Sequence, residues 1–456
     1  MAPLRHLRTS DPPVSAELIS AIRSISTPFH GEPDLDPLLE RVGDARYVLL
    51  GEASHGTHEF YTWRSALTRR LIEEKGFSFI AVEGDWPDCE RVNRYVKGRA
   101  EPGASAASVV HEFGRWPTWM WANREIVELV HWLRHHNDHQ PDERKVGFYG
   151  LDVYSLWESL DEIFKYLREN DPSALPLAYR AINCFEPYGH DEHEYARATR
   201  LVNASCEADV VNLLVGLRRS PSVGPGDRAA GARSSGDAEA QFNAEQNAIV
   251  VRDAERYYRA MLGGGPLSWN LRDQHMFETL ERLMTHHGPA TRCIVWEHNT
   301  HIGDARHTDM ADDGMINVGQ LVRENHPGRS LLVGFSSYQG EVIAGESWGA
   351  EMKRLTVPPA RPGSWEDALR HASSGQGRLL LFGKEARHSA ELIAERGHRA
   401  IGVVYHPARD RYANYVPTAM ALRYDAMIAL DRTSALHPLH MPPSPSEIPD
   451  TYPTGY

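Results

Sequence analysis

The stretch that decides the fold is Tyr47-Val48-Leu49-Leu50-Gly51-Glu52-Ala53-Ser54-His55-Gly56-Thr57-His58-Glu59-Phe60. An apolar run followed by a polar turn that contains glycine is typical of a short buried strand that leads into a helix. Ser54 and Thr57 are the candidate N-caps of this helix. Its buried face is predicted from four apolar residues with helical spacing, namely Phe60, Trp63, Leu67 and Leu71. The stretch therefore predicts a junction between a strand and a helix.

Arg64 falls among the apolar positions of the predicted helix and not on its solvent face, because successive side chains are about 100° apart. A buried guanidinium is tolerated only when a carboxylate or a ligand neutralises its charge. Glu52 and His55 lie at the same junction. They indicate either a functional site or a structural Arg–Glu pair beside a surface histidine, and this stretch alone does not separate the two.

The composition limits the classes of partner. The chain has 456 residues and a formal net charge of -13, which argues against a nucleic-acid or anionic-membrane partner because either would repel it. No run of about 18 apolar residues predicts a membrane span, and the N-terminus lacks the apolar core of a signal peptide. We therefore expect a small-molecule substrate, no nucleic-acid partner and no membrane partner. The sequence leaves the oligomeric state open.

The cysteines are few and widely spaced: Cys89, Cys184, Cys206 and Cys293. They include no Cys-x-x-Cys pair, so their spacing predicts neither a zinc knuckle nor a disulfide framework. A reducing compartment fits this pattern, and we expect a cytoplasmic protein.

Apolar runs of strand length recur along the chain and alternate with segments of helical pattern. They predict strands at about 46–51, 77–82, 146–150, 293–296, 331–335, 338–344, 379–382, 401–405 and 426–430. Helices between successive strands are typical of parallel β-α-β units. The predicted fold class is α/β, with a central, mostly parallel sheet and helices on both of its faces.

The same pattern divides the predicted core into two parts, residues 1–154 and residues 286–440. Between them, residues 155–285 have helical periodicity and predict a helical insertion or cap over the sheet. Inside this region, residues 219–240 are so poor in large apolar side chains that we expect a mobile loop. Residues 441–456 are rich in proline and predict a surface tail.

Charged or titratable side chains follow four of the predicted strands at the point where each strand ends. They are Glu52 with His55, Glu83 with Asp85, Asp152, and His298 with His301. Ligands of open α/β sheets bind beyond the carboxyl ends of the strands, so we expect these residues and Arg64 to converge. The set suits acid–base catalysis, in which a histidine takes a proton from water and an arginine stabilises negative charge. With no Gly-x-Ser-x-Gly elbow, water is the favoured nucleophile.

A metal site is the competing interpretation, because histidines and carboxylates are common ligands of zinc and manganese. His298 and His301 have His-x-x-His spacing, but this is not the helical His-Glu-x-x-His pattern. We therefore expect no cofactor and keep the metal site as the alternative.

Other histidines lie in polar surroundings and are expected to be solvated: His58, His135, His136 and His139. A group of tryptophans is expected to pack in the core: Trp116, Trp119, Trp121 and Trp132.

Longer stretches occur in order along the chain and are well separated. They are GEASHGTHEFYTWR (51–64), VEGDWPD (82–88), YGLDVYSL (149–156), QNAIVVRDAERYYRAM (246–261), WNLRDQHM (269–276), VWEHNTHIGDAR (295–306) and YDAMIALDRTSALHPL (424–439). Together they resemble the erythromycin esterase family over most of the chain. Some relatives are fused to a phosphoribosyltransferase, and we expect the esterase-like part alone.

The resemblance implies an α/β core with a helical cap, and hydrolysis of the macrolactone ester of erythromycin-like antibiotics. It also implies an active cleft that requires no metal and is lined by Glu52, His55, Arg64, Glu83, His298 and His301. We expect His55 to be the base for water, with Glu83 or Glu52 orienting its ring. Arg64 is expected to stabilise the charge on the ester oxygen, and Gly56 to leave room for substrate. The predicted substrate contacts are Trp86, Asp85 and Asp152.

Two classes of function follow. The leading one is a hydrolase of the erythromycin esterase type, which cleaves an ester or lactone with histidine-activated water. The alternative is an enzyme of a biosynthetic pathway that uses the same cluster for elimination, isomerisation or ring closure. A catalytically silent binding protein is disfavoured, because all six family positions hold chemically competent side chains. The substrate itself does not follow from the resemblance.

Overall fold

The computed structural model describes residues 10–188, 192–202, 205–219, 235–263 and 265–440. The strands within these ranges are β1 (Ser26–Pro28), β2 (Tyr47–Leu50), β3 (Phe79–Asp85), β4 (Gly147–Asp152), β5 (Cys293–Trp296), β6 (Ser330–Ala344), β7 (Lys353–Val357), β8 (Arg378–Leu381), β9 (Arg396–Arg399), β10 (Tyr415–Thr418) and β11 (Ala426–Thr433).

The α-helices surround these strands. They are α1 (Ala16–Ser24), α2 (Asp36–Val42), α3 (His58–Lys75), α4 (Trp86–Val96), α5 (Ala106–His111), α6 (Arg124–Asp138), α7 (Leu156–Asn170), α8 (Leu175–Phe185), α9 (Glu192–Val202), α10 (Glu207–Arg219), α11 (Ser235–Met261), α12 (Leu267–His287), α13 (Asn299–Ile302), α14 (Val318–Asn325), α15 (Trp365–Ser373), α16 (Ala390–Ile393), α17 (Asp410–Ala413) and α18 (Met420–Arg423).

One large sheet organises the described part of the chain. Its strands follow the order β1-β8-β11-β6-β2-β5-β3-β4, and β7 pairs with β6 outside this path. Neighbours from β11 to β4 are parallel, whereas β1, β8 and β7 pair antiparallel. A separate antiparallel pair joins β9 to β10. The predicted α/β class with a mostly parallel sheet is confirmed.

Both faces of the sheet are apolar because side chains alternate along each strand. In β2, Val48 and Leu50 face one core cluster, which contains residues of α3 and α6. Tyr47 and Leu49 face the other, which contains residues of α1, α12, α14 and α15. A central strand that is covered on both sides must be apolar at every position, which is why residues 47–50 read as a continuous run.

The junction after β2 has the predicted form. Thr57 is the N-cap residue of α3 and has extended backbone angles, although its side chain makes no capping hydrogen bond. The helix ends at Gly76, whose φ of +67° lies in the left-handed region that favours glycine. The predicted buried residues Phe60, Leu67 and Leu71 are in the core.

Two strand predictions are wrong. Residues 330–344 form the single strand β6, although two separate strands were predicted at 331–335 and 338–344. The predicted strand at 401–405 is irregular and makes only isolated bridges with Ser54 and Gly345 among the described residues. The strand in this region is instead β9. Its basic side chains are buried because Glu366 pairs with His398, Asp410 pairs with Arg399, and backbone oxygens accept from Arg396. Charge concealed this strand from a search for apolar runs.

Helices α7 to α12 follow one another between β4 and β5, and several of them share an apolar cluster of their own. Within this region Cys184 and Cys206 form a disulfide. The cysteine spacing, which predicted no disulfide framework, did not reveal this bond, and it no longer supports a reducing compartment. The cytoplasmic location and the division into domains remain predictions.

Two further predictions fall largely on residues outside the described ranges. Of the predicted loop 219–240, residues 220–234 are not described, and α11 already begins at Ser235. The predicted tail, 441–456, also lies beyond the described chain. Among the helices that are described, none has the length and apolarity that crossing a membrane requires.

Candidate active site

A cleft lies beyond the carboxyl ends of the parallel strands, where ligands of open α/β sheets bind. The space inside it, including space open to solvent, is about 970 Å³. The titratable residues that line it are His55, Glu83, Asp85, Asp88, Arg115, Asp152, Arg272, His298 and His301. The apolar part of the wall comes mainly from Phe113, Trp116, Met120, Trp121, Tyr154, Trp269, Trp348 and Val403.

His55 is held by a chain of buried groups. Its Nδ1 atom lies 2.8 Å from Oε1 of Glu52, and the Nη2 group of Arg64 donates to Oε2 of the same carboxylate. Because Glu52 is paired with Arg64 as an acceptor, Nδ1 of His55 carries a proton and donates it to Glu52. The Nε2 atom of His55 is therefore the one available to act as a base in the cleft.

Arg64 does not line the cleft, so its predicted contact with the ester oxygen is wrong. The side chain is fully buried, and its guanidinium carbon lies 4.5 Å from the ring centroids of both Tyr61 and Trp296. These cation–π contacts and the pair with Glu52 neutralise a charge that burial would otherwise make costly. Arg64 is thus a positioning residue, which fixes Glu52 and, through it, His55.

Glu83 is the carboxylate at the centre of the cleft. Its Oε1 atom lies 2.7 Å from Nη2 of Arg272, 3.5 Å from Nε2 of His301 and 4.0 Å from Nε2 of His55. Its Oε2 atom accepts the backbone N–H of His298 at 2.8 Å. Burial acts to raise the pKa of Glu83, but His301, His55 and Arg272 more than offset it and lower the pKa well below its usual value. Glu83 is therefore a carboxylate anion.

Arg272, on α12, is a site residue that the sequence reasoning missed. Its Nε and Nη2 groups donate to the two oxygens of Asp152 at 2.9 and 2.6 Å, a bidentate pairing that fixes the guanidinium plane. Burial acts to lower the pKa of Arg272, but Asp152 and Glu83 raise it well above its usual value. Arg272 lines the cleft, where the sequence had placed the guanidinium of Arg64. The only sequence signal for it was the stretch WNLRDQHM, because Arg272 follows no strand.

The ring of His301 is held by contacts with three side chains. Its ring stacks on Trp269 at 4.6 Å between centroids with an interplanar angle of 7°, and its Nδ1 lies 2.9 Å from Oδ1 of Asp273. Its Nε2 lies 3.0 Å from Nη1 of Arg272. Since arginine can only donate, this Nε2 accepts, and the proton of His301 is on Nδ1. With a guanidinium on one nitrogen and a carboxylate on the other, His301 is poorly arranged to hold a metal.

His298 faces His55, with 4.9 Å between the ring centroids. Its Nδ1 atom accepts the backbone N–H of Thr300 as the cap of α13, so the ring proton is on Nε2. Nε2 is buried and has no hydrogen-bond partner in the described part of the chain. Burial and the nearby His55 lower the pKa of His298 well below its usual value. The backbone oxygen of Ala53 acts in the opposite direction but does not offset these two effects, so His298 is a neutral imidazole.

Glu297 is a second residue that the sequence reasoning missed. It precedes His298, is 1% exposed, and neither carboxyl oxygen has a hydrogen-bond partner among the described residues. Burial, reinforced by the charges of Glu83 and Asp273, raises the pKa of Glu297 well above its usual value. This side chain is a neutral carboxylic acid behind the cleft.

Two of the three predicted substrate contacts line the cleft, and the third does not. Asp85 and Asp152 line the cleft, and Asp85 forms an ion pair of 2.8 Å with Nε of Arg115. Burial, opposed by Arg115, raises the pKa of Asp85 to about 7. Trp86 does not line the cleft, so its predicted role is wrong: the ring packs against Tyr149 on the opposite side of the core, and its Nε1 donates to Asn243. Trp116 and Trp121, which were expected only to pack, contribute to the wall instead.

Gly56 has a different role from the predicted one. A Cβ atom there would lie 1.9 Å from the backbone oxygen of Ile343, and the backbone N–H of Ile343 donates to the oxygen of Gly56. Glycine is therefore needed so that the turn after β2 can approach β6, and not to make room for a substrate.

The four histidines that were expected to be solvated differ in their exposure. His135 and His139 are exposed, and His136 stacks on Trp132 at 5.2 Å. His58 is instead partly buried, with its Nδ1 atom 2.5 Å from Oε1 of Glu125. The prediction that His58 is solvated is wrong because its helix begins against α6.

Comparison with known proteins gives the same class as the fold. In solved structures, the fold is shared with a protein of Bacillus cereus (TM-score 0.74, 20% identity, 93% of this chain and 99% of that chain). It is also shared with an erythromycin esterase mutant in its open conformation (TM-score 0.63, 16% identity, 92% and 97%). In sequence, the chain is similar to an erythromycin esterase type II of Escherichia coli, with 22% identity over 373 residues that cover 76% of this chain and 83% of that protein.

The protein is thus a member of the class of α/β proteins with a large, mostly parallel sheet. Residues 72–433 match the sequence model of the family described as "Erythromycin esterase". The chain belongs to the erythromycin esterase family, as the stretches quoted above indicated, and the family supports hydrolase activity of the esterase type.

Proposed function

We propose that the protein hydrolyses a carboxylic ester or lactone, and that His55 activates the attacking water. The observation that carries this proposal is the fixed state of His55: Nδ1 donates to Glu52, which Arg64 holds, while Nε2 is free in the cleft. An imidazole that is oriented by a buried carboxylate is the usual arrangement of a general base.

Each proton and bond of the reaction has a place. Nε2 of His55 takes one proton from water as the water oxygen bonds to the carbonyl carbon. Glu83, an anion 4.0 Å from Nε2, stabilises the imidazolium that forms. When the bond between the carbonyl carbon and the alkoxy oxygen breaks, His55 returns the proton to the leaving alkoxide. The products are an alcohol and a carboxylic acid, and the acid releases the second proton of the water to solvent to become a carboxylate.

The negative charge that builds on the carbonyl oxygen requires donors that are already in position. His298 borders the cleft, and its Nε2 is a buried N–H. Arg272 adds a fixed positive charge in the same wall. We assign these two side chains to the oxyanion, in place of Arg64.

The shape and charge of the cleft indicate the substrate class. Its aromatic wall favours a substrate with an apolar body. The carboxylates of the lining, Glu83, Asp85, Asp88 and Asp152, outnumber its two guanidinium groups, which favours a neutral or cationic molecule over an anionic one. Because relatives carry the name erythromycin esterase, macrolactones are the first substrates to test. The proposed partner is a small molecule, and no step above uses a cofactor.

The proposal is tested by offering macrolides, simpler lactones and aryl esters, with product analysis by mass spectrometry in ¹⁸O-labelled water. Hydrolysis adds one water and places the label in the carboxylate. A product of unchanged mass would overturn the proposal in favour of isomerisation, and loss of water would indicate elimination. His55→Ala should abolish the labelled product, and His139→Ala is the matched control because His139 is exposed.

A further inference from the structure

Three side chains meet outside the proposed active site. His58 is the first residue of α3, Glu125 is the second residue of α6, and His437 lies in the segment that follows β11. The Nδ1 atoms of both histidines lie against the same oxygen, Oε1 of Glu125, at 2.5 and 2.7 Å. The three potential ligand atoms are all within 4.8 Å of one another.

The carboxylate at the centre of this cluster is buried but incompletely bonded. The Glu125 side chain is only 4% exposed, and its Oε2 atom has no hydrogen-bond partner in the described part of the chain. A buried polar atom without a partner is costly and commonly marks the place of a water or an ion. The two histidine side chains are 32% and 46% exposed, so an ion can reach the cluster from solvent.

The backbone holds the three residues in position. The N–H of His58 donates to the oxygen of Ser434, and the N–H of Arg124, next to Glu125, donates to the oxygen of His437. Isolated β-bridges join Thr57 to Ala435 and Asn123 to Pro438. The cluster therefore rests on three segments that are already tied together, which lowers the entropy lost when a ligand binds.

We propose that His58, Glu125 and His437 form a binding site for a divalent transition-metal ion, Zn²⁺ in the first place. Two imidazole nitrogens and one carboxylate oxygen are a common zinc ligand set, and water supplies the fourth ligand. Tetrahedral ligands at about 2.0–2.1 Å from zinc are about 3.3 Å apart. The two surface histidines need to rotate outward by less than about 1 Å to reach that spacing.

The ion would act on the fold and not on the reaction. It would fasten the segment that carries His437 to the starts of α3 and α6. Because α3 begins only three residues after His55, the ion would also stabilise the turn that holds the proposed base. The role is independent of the proposed hydrolysis, and loss of the ion is expected to lower Tm.

The test uses the full chain without a histidine tag, stripped with a chelator and titrated with ZnCl₂ by isothermal calorimetry. We expect one high-affinity ion per chain and a rise in Tm when zinc is added. His437→Asn and His58→Asn should each weaken this binding by at least tenfold, since even changes around a metal site cost about 10- to 100-fold. His139→Asn is the matched control, because the chain has 24 histidines that can bind zinc weakly.

Cobalt gives a second measurement that does not depend on activity or on Tm. A four-coordinate Co²⁺ site absorbs in the visible range, and this band should disappear in His437→Asn. Glu125→Gln should also lose the band, but its buried position makes folding a separate question, which circular dichroism answers. If no zinc or cobalt binds, or if binding is unchanged in both histidine variants, the cluster is an ionic one only and the proposal is overturned.

Discussion

Oε1 of Glu52 accepts a hydrogen bond of 2.8 Å from Nδ1 of His55. The two residues are three positions apart in the turn between β2 and α3. A turn between a buried strand and a helix is a rigid support for such a pair. The pair decides which nitrogen of His55 faces the cleft, and every step of the proposed reaction starts from that nitrogen.

His55→Ala should stay folded and be nearly inactive. Removing a general base typically costs about 100- to 10,000-fold in rate, or about 3–5 kcal/mol of barrier. The measurement is kcat/KM for the best ester or lactone, alongside a thermal melt. Turnover within about tenfold of the parent would show that another residue is the base.

Arg64→Ala should lose stability as well as activity. It leaves the carboxylate of Glu52 buried without its counter-charge, and breaking a buried pair in this way costs about 3–5 kcal/mol. Urea unfolding measures the loss. Arg70→Ala, on the same helix, is the control, since its pairs with Glu74 and Asp36 are partly exposed and should be worth at most about 1 kcal/mol. Equal stability of the two variants would contradict the positioning role of Arg64.

The rate should rise with pH along a limb that reports His55. Burial acts to lower the pKa of His55, but the carboxylates of Glu83 and Glu52 more than offset it and raise the pKa above its usual value. His55 accepts a proton only when neutral, so kcat/KM should increase as the pH passes this raised pKa. Glu83→Gln removes the charge 4.0 Å from Nε2 and should move the limb to lower pH. If the limb of the pH profile does not move in Glu83→Gln, then Glu83 does not raise the pKa of the catalytic base.

Glu297→Gln should make the protein less sensitive to alkaline pH. The folded state raises the pKa of Glu297 through burial, so the folded protein binds this proton more tightly than the unfolded chain. Its contribution is fully present below the usual glutamate pKa and is lost as the pH rises toward the raised value. The gain in stability from Glu297→Gln should therefore be small at pH 4 and larger at pH 8. Urea unfolding at the two pH values measures it, and a gain that shrinks with pH would show that Glu297 is charged.

Activity should survive complete chelation. No metal is used in the proposed reaction, and both nitrogens of His301 are already engaged by Arg272 and Asp273. A chelator should instead lower Tm by emptying the site at His58, Glu125 and His437, so initial rates and melting curves respond differently. If chelation abolishes turnover and one divalent ion restores it, a cleft residue must be a metal ligand.

The site residues at the strand ends were predictable because each of them directly follows an apolar run in the sequence. Apolar runs locate the parallel strands, and the residues that follow each run, such as His55 and Glu83, are brought to one edge by topology alone. Arg272 could not be found in this way, because it reaches the cleft from the side of a long helix. The prediction that Trp86 contacts substrate failed for a related reason. Trp86 directly follows Asp85, but its ring packs in the core and does not line the cleft.

The partners of charged residues were harder to predict than the charges themselves. The position of Arg64 on its helix required a buried partner, and Glu52 is that partner. The same position gave no sign of whether the guanidinium would face the cleft or the core, since that depends on Tyr61 and Trp296 from two different elements. The disulfide between Cys184 and Cys206 was hidden because its spacing matches no short motif.

Within the described part of the chain, Arg115 in the wall of the cleft forms an ion pair with Asp85 at the end of β3 and another with Glu158 on α7. Glu158 is 50% exposed, so the outer pair lies within reach of dissolved ions, which screen exposed charges over about 8–10 Å. The inner pairs of Glu52 and Glu83 are shielded from such screening by burial. Ionic strength therefore weakens the outer ion pair of Arg115, while the buried pairs in the interior keep their geometry.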